Sequence, residues 1–122
     1  MHSSVSDIKR KQKEALLLKE ISTLFLDVSL EYPAFQSLFI NKVLLSPDKG
    51  LCSVYFYSPK GIEFFKEQLP QLKLFKPSLR KALSQRIRSR RIPQIVFVFD
   101  SQLEKQETVE SLLDKIKTTE DN

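Results

Sequence analysis

Residues 76–100 read KPSLRKALSQRIRSRRIPQIVFVFD, a helical pattern without an acid that passes through a proline into an apolar strand. Pro77 suits the first turn of a helix, where the N–H it lacks has no partner to lose. Leu79, Ala82, Leu83 and Ile87 recur at helical spacing, Pro93 closes the segment, and Gln94–Phe99 is a short continuous apolar run of the kind a buried strand makes. Asp100 follows, expected with Ser101 to cap the next helix. Downstream, Ser101-x-x-Glu104 reads as a capping box opening a last helix with Val109, Leu112, Leu113 and Ile116 as its apolar stripe.

Upstream, Ser58 and Pro59 read as N-cap and first residue of another helix, with Ile62, Phe65 and Leu69 on its buried face and Pro70 ending or kinking it. Before that lie two strand patterns, residues 37–45 and 51–57, joined by a Ser-Pro-Asp-Lys-Gly turn in which Gly50 is expected to take positive φ. Residues 6–29 carry Leu17, Ile21, Leu24, Phe25 and Val28 on one helical stripe, ended by the Tyr32-Pro33 pair. Residues 1–5 and 118–122 read as frayed. The order is α-β-β-α-break-α-β-α. It predicts one α+β domain over residues 1–122, a three-stranded sheet with helices on one face.

Composition excludes much. The chain has 122 residues, about one domain's length, and an ordinary globular balance of 41% hydrophobic and 29% charged residues. One cysteine allows neither an intramolecular disulfide nor a four-cysteine zinc site, and Cys52 reads as a small buried strand residue of a reducing compartment. One histidine, His2, rules out Ser-His-Asp chemistry and the HExxH metal site. Two glycines, Gly50 and Gly61, cannot write either glycine-rich phosphate loop. Glu63 and Glu67, four apart on a helix, read as solvation rather than an acid-base pair. No catalytic, metal or cofactor site is expected. No apolar run approaches the roughly 18 residues of a spanning helix, so a cytoplasmic, membrane-free protein is expected.

What remains is charge. The net charge is +5, unevenly spread: residues 1–99 hold 17 bases and 8 acids, residues 100–122 three bases and seven acids. Lys76, Arg80, Lys81, Arg86, Arg88, Arg90 and Arg91 follow one another without an acid between them. Continued as one helix, Lys81 and Arg88 lie opposite the Leu79/Leu83/Ile87 stripe, with Arg80 and Arg91 on a flank. Such a face repels itself and attracts phosphate, which the planar arginine fork binds well. Lys9, Arg10, Lys11 and Lys13 make a second cluster, able to join the first if the two helices are neighbours. Tyr55 and Tyr57 share one face of their strand, opposite Val54 and Phe56. They read as half-exposed packing residues rather than a base-stacking platform, which has a glycine pattern absent here.

Two stretches resemble the bacterial ribosome-binding factor A family. The first is Val43-Leu44-Leu45-Ser46-Pro47-Asp48 followed by Cys52-Ser53-Val54-Tyr55-Phe56, similar to the family's V-x-V-S-x-D and A-x-V-Y-V. The second, more specific, is Leu79, Arg80, Leu83, Ile87, Arg90, Pro93, Ile95, Phe97 and Asp100, which keep the family's spacing throughout. The resemblance spans roughly residues 6–117. It implies a type II KH-like fold and a non-enzymatic role. It further implies binding to free small (30S) ribosomal subunits and to their 16S rRNA, help with maturation of its 5′ end, notably in the cold, and a monomer that takes no small-molecule substrate. Ribosome-assembly GTPases are further partners it allows. Where the family has an Ala-x-Gly break between its central helices, Phe75, Lys76 and Pro77 stand here, and Pro77 is expected to set the break. Two other classes fit the residues alone: a general single-stranded-RNA module, and a protein-interaction domain using the acidic last helix.

Overall fold

The computed structural model describes residues 5–88 and 91–120, and for Ser111 and residues 115–120 the backbone only. The chain runs α1 (Val5–Glu31), a 3-10 turn (Pro33–Ser37), β1 (Phe39–Leu45), β2 (Leu51–Tyr57), α2 (Gly61–Lys73), α3 (Lys76–Arg86), β3 (Gln94–Phe99) and α4 (Ser101–Glu120). The fraying expected at residues 1–4 and 121–122 lies outside the described residues, whereas Val5 and residues 118–120 are helical.

The sheet order is β1-β2-β3. β1 pairs antiparallel with β2, Val43 opposite Val54 and Leu45 opposite Cys52, with an irregularity between Ile40 and Lys42. β3 lies parallel to β2, reached through the two helices. Period two then sorts the side chains: Cys52, Val54 and Phe56 point into the core with Val43, Leu45, Ile95 and Phe99, while Tyr55 and Tyr57 stay half-buried on the other face. α1, α2 and α3 close the core with Leu17, Ile21, Phe65, Leu72 and Leu83. Phenylalanines join the layers: Phe56 meets Phe25, Phe65 and Phe97 at 5.3–5.9 Å between ring centres, and Phe35 meets Phe25 and Phe75. Edge-on and offset contacts of this kind add about 1 kcal/mol each beyond the area they bury.

Several local expectations are corrected. The strand expected from residue 37 begins at Phe39, because Pro33 opens a 3-10 turn that buries Phe35. In the hairpin turn Lys49, not Gly50, takes positive φ (61°). The turn is built on Ser46, whose carbonyl accepts the Lys49 N–H, while the Asp48 carboxylate accepts from the Ser46 hydroxyl and the Gly50 N–H. α2 starts at Gly61 rather than Ser58. The Ser58 hydroxyl accepts the Lys60 N–H and its carbonyl the Gly61 N–H, a turn finished by Gly61 at φ 88°. Ile62, in the first turn of α2, is exposed rather than on the buried face, where Phe65 is joined by Leu72. Pro70 does not end α2, which runs on to Lys73. Of the two expected caps of α4, Asp100 serves, its carboxylate accepting the Leu103 N–H, while Ser101 is already the first residue of the helix. Its apolar stripe is unpartnered among the described residues: Val109, Leu112 and Leu113 are each more than half exposed, and the side chain of Ile116 is not described.

Candidate nucleic-acid interface

α3 begins at Lys76 and ends at Arg86; Ile87 is already extended and buried. The acid-free segment is therefore not one cationic helix face. Lys76, Arg80, Lys81 and Arg86 lie on the helix, Arg88 and Arg91 on the connection to β3, and Arg90 lies outside the described residues. The helix stops there because Ile87 and Pro93 turn into the core at either end of the connection.

The cations divide by what they already hold. Arg86 pairs with Glu20 of α1 at 3.1 Å. The Arg80 guanidinium donates to the Ile92 carbonyl at 3.1 Å, tying the connection to α3. Lys76 lies 5.3 Å over the Phe97 ring. Arg10 pairs with Asp7 at 3.2 Å, and Lys13 and Arg91 also have partners. Lys9, Lys11, Lys81 and Arg88 are exposed and meet no acid among the described residues.

α1 and α3 do pack together, through the Arg86–Glu20 pair. The same stretch of α1 reaches the hairpin: the Glu14 carboxylate accepts the Leu45 N–H at 2.6 Å, at the end of β1. Gln94, at the start of β3, donates its N–H to the Gly50 carbonyl. One end of the molecule thus gathers the first half of α1, the hairpin turn and the 87–93 connection. It brings the turns of α1 that carry Lys9, Arg10, Lys11 and Lys13 to the same end as Arg86, Arg88 and Arg91.

The turn adds a cation the sequence reading passed over. Lys49 stands at its tip in the left-handed region, costly for a side chain with a Cβ, and meets no acid among the described residues. Asp48 beside it is tied up: first the Ser46 hydroxyl and then the Gly50 N–H hold its carboxyl below the usual range, with the Arg91 charge adding to them. The only sequence signal for Lys49 is its place in a Pro-Asp-Lys-Gly turn.

The rest is support rather than chemistry. Burial pushes the Asp100 carboxyl up, but the Leu103 N–H, the Asn41 amide at 2.6 Å and the Lys42 charge outweigh it and leave it below the ordinary range. Asn41 sits at the β1 irregularity, so one carboxylate joins the edge strand to α4. Glu63 faces water with Lys66 at 3.7 Å. Among the described residues no group of three His, Cys, Asp or Glu side chains is placed to hold a metal ion, and no helix is long and apolar enough to cross a membrane.

The break between the central helices needs no glycine. Leu74 and Phe75 both stay in the right-handed helical region, and their N–H groups bond three residues back, to Gln71 and Leu72. Pro77 has no N–H to give the Lys73 carbonyl, so the regular ladder lapses at this joint. The Phe75 ring packs edge-on against Tyr32 and Phe35 at 5.1 and 5.7 Å. Bulk in place of alanine is used for packing.

An α-β-β-α-break-α-β order, with β2 central, β1 antiparallel and β3 parallel, beside a basic end, defines a KH-like α+β protein. Residues 9–113 match the model of the family described as ribosome-binding factor A, and the chain belongs to that family. Its relatives include Ribosome-binding factor A of Prochlorococcus marinus subsp. pastoris, 38% identical over 115 residues that cover 93% of this chain and 87% of the relative. That of Citrifermentans bemidjiense is 29% identical over 114 residues, covering 93% and 96%. The crystal structure of ribosome-binding factor A from Thermus thermophilus superposes with a TM-score of 0.63 at 29% identity, covering 74% of this chain and 93% of that one. The solution structure of a putative ribosome binding factor A from Thermotoga maritima gives 0.57 at 25% identity, covering 70% and 84%.

Proposed function

We propose that this chain is a non-catalytic, cytoplasmic ribosome-assembly factor that acts as a monomeric single domain. It binds the free small (30S) subunit through phosphates of 16S rRNA and assists late maturation of the 5′ end of that RNA, most needed in the cold. Family membership supports the ribosomal destination. The observation that carries the mode of binding is the basic end, where Lys9, Lys11, Lys49 and Arg88 stand without acidic partners among the described residues, with Lys81 likewise without one on α3. Cations left unpaired by the fold are free to displace counterions from phosphate. Arg80, Arg86, Arg91 and Lys13 already hold partners, Lys76 stands at the other end of α3 over Phe97, and all of these, with Arg90 of the same sequence run, are candidates for further phosphate contacts. Assembly GTPases are expected to act on the same particle.

The test is co-sedimentation with ribosomal particles on a sucrose gradient, wild type beside Lys81→Glu/Arg88→Glu. Wild type is expected on the free small subunit, with the double variant, equally folded by circular dichroism, left at the top. Wild type staying at the top overturns the ribosomal reading. A double variant that still co-sediments overturns the basic end as its footprint.

A further inference from the structure

Between α1 and α3 lies a second feature with the opposite character. A slot of about 220 Å³ is floored by Phe25, Ile40, Phe56 and Phe97 and walled by Leu24 and Leu79. An apolar cavity of roughly 150 Å³ accepts a benzene ring, so this one has room for a single large apolar side chain. Its polar groups are at the mouth: Asp27 on α1 and Ser78 on α3. Asp27 has no partner among the described residues, nor has Glu31 one turn further along the same row of α1. Glu20, at the other end of that row, is neutralised by Arg86, and Lys76 is drawn over Phe97 on the β3 side.

The local charge is unusual for this chain. Residues 20–41 hold Glu20, Asp27 and Glu31 and no lysine or arginine, within a protein of net charge +5. The acids stand on the α1 lip only; on the α3 lip Lys76 lies over Phe97, Arg80 holds the Ile92 carbonyl and Arg86 holds Glu20, while Lys81 is exposed. An apolar slot with one acidic lip favours an apolar group carried beside a cation.

We infer that the α1–α3 slot is a protein-docking site: it takes one large apolar side chain, Phe, Leu or Met, from a partner segment in which that residue is followed by Lys or Arg. A single buried anchor among near-neutral contacts is how most such interfaces draw their affinity. The apolar side chain enters between Leu24 and Leu79, and its basic neighbours meet Asp27 and Glu31. The slot adjoins Lys81 on α3 but is lined by none of the cations of the proposed RNA footprint, so an RNA and a protein segment can be held together.

The test is titration of the isotope-labelled full chain, followed by amide NMR, with the blocked peptide Gly-Ser-Phe-Lys-Lys-Ser-Gly. Saturable shifts are expected at Leu24, Asp27, Leu79 and Ala82. Asp27→Asn/Glu31→Gln raises Kd about three- to tenfold, the effect of two exposed charge pairs. Ala82→Leu, which fills the slot, abolishes the shifts while particle co-sedimentation through the basic end persists. The inference is overturned by an absence of saturable shifts, or by equal binding of the Gly-Ser-Phe-Glu-Glu-Ser-Gly control. Shifts at the same residues that grow with protein concentration alone also overturn it, since they make a second copy the occupant.

Discussion

Cys52 sits on β2 with no exposure to water, and burial above all, then the Glu14 charge, pushes its thiol up to about 12. Alkylation and exchange proceed through the thiolate, which is then almost absent in the folded protein. Iodoacetamide at pH 8 is expected to leave the native chain unmodified over hours and to label it rapidly in urea; fast native labelling would show that the strand opens. The folded pKa lies above the ordinary 9.0, so the thiol's stabilising contribution is complete below about pH 9 and is lost as pH rises toward about 12. Urea midpoints measured across that window should fall more steeply for wild type than for Cys52→Ala. Asp100 runs the other way. Its depressed carboxyl contributes above the ordinary 3.8, and the contribution is lost as pH falls below it. Asp100→Ala removes the α4 cap and strands the Asn41 amide, a cost of about 1–2 kcal/mol at pH 7 by urea unfolding. The gap to wild type should narrow at pH 3, and a gap that stays constant with pH would assign the loss to packing alone.

At the scale of elements, the two prolines of the α2–α3 pair differ in consequence. Pro77 stands in the first turn of α3, where its missing N–H is harmless. Pro70 stands inside α2, where it cannot donate to the Lys66 carbonyl, and its ring is exposed, so little packing depends on it. Pro70→Ala is expected to stabilise the protein by about 1–2 kcal/mol, less than a full interior proline because the helix ends three residues later. A lowered melting temperature would show that the proline shapes the helix for packing. The same elements show what sequence reading can reach. Alternation in β2 and helical spacing in α1 and α3 depend on many side chains facing one core, and these were legible. The start of α2 was not, because Ser58 and Pro59 satisfy the rules for a helix cap as well as those for a turn. Only the tertiary burial of Ser58 and the left-handed Gly61 decide between them. The last helix was misjudged for a related reason: Val109, Leu112 and Leu113 mark an apolar stripe, and a stripe does not say whether the same chain covers it.

Over the whole molecule, charge is sorted into regions: a basic end made from α1, the hairpin turn and the 87–93 connection, an acidic row on the second half of α1, and an acidic α4. The cations of the basic end could be counted in the sequence, since counting requires no fold. Which of them are spent could not. Arg86 finds Glu20 at a separation of 66 residues, and Arg80 reaches the Ile92 carbonyl across the connection. This division makes a prediction about salt. If the basic end neutralises about six phosphates, log K for RNA falls against log salt with a slope near −5, somewhat less for single strands. Lys81→Ala and Arg88→Ala should each flatten that slope by about one while leaving stability within about 0.5 kcal/mol, since neither side chain has a partner among the described residues. Arg80→Ala should cost about 1 kcal/mol of stability by freeing the Ile92 carbonyl, whatever it does to RNA binding. Fluorescence anisotropy across a salt series, beside urea unfolding of the same variants, separates the two groups. If Lys81→Ala and Arg88→Ala leave the slope unchanged, the unpaired cations do not meet phosphate, and the affinity must come from the arginines that also hold the fold together.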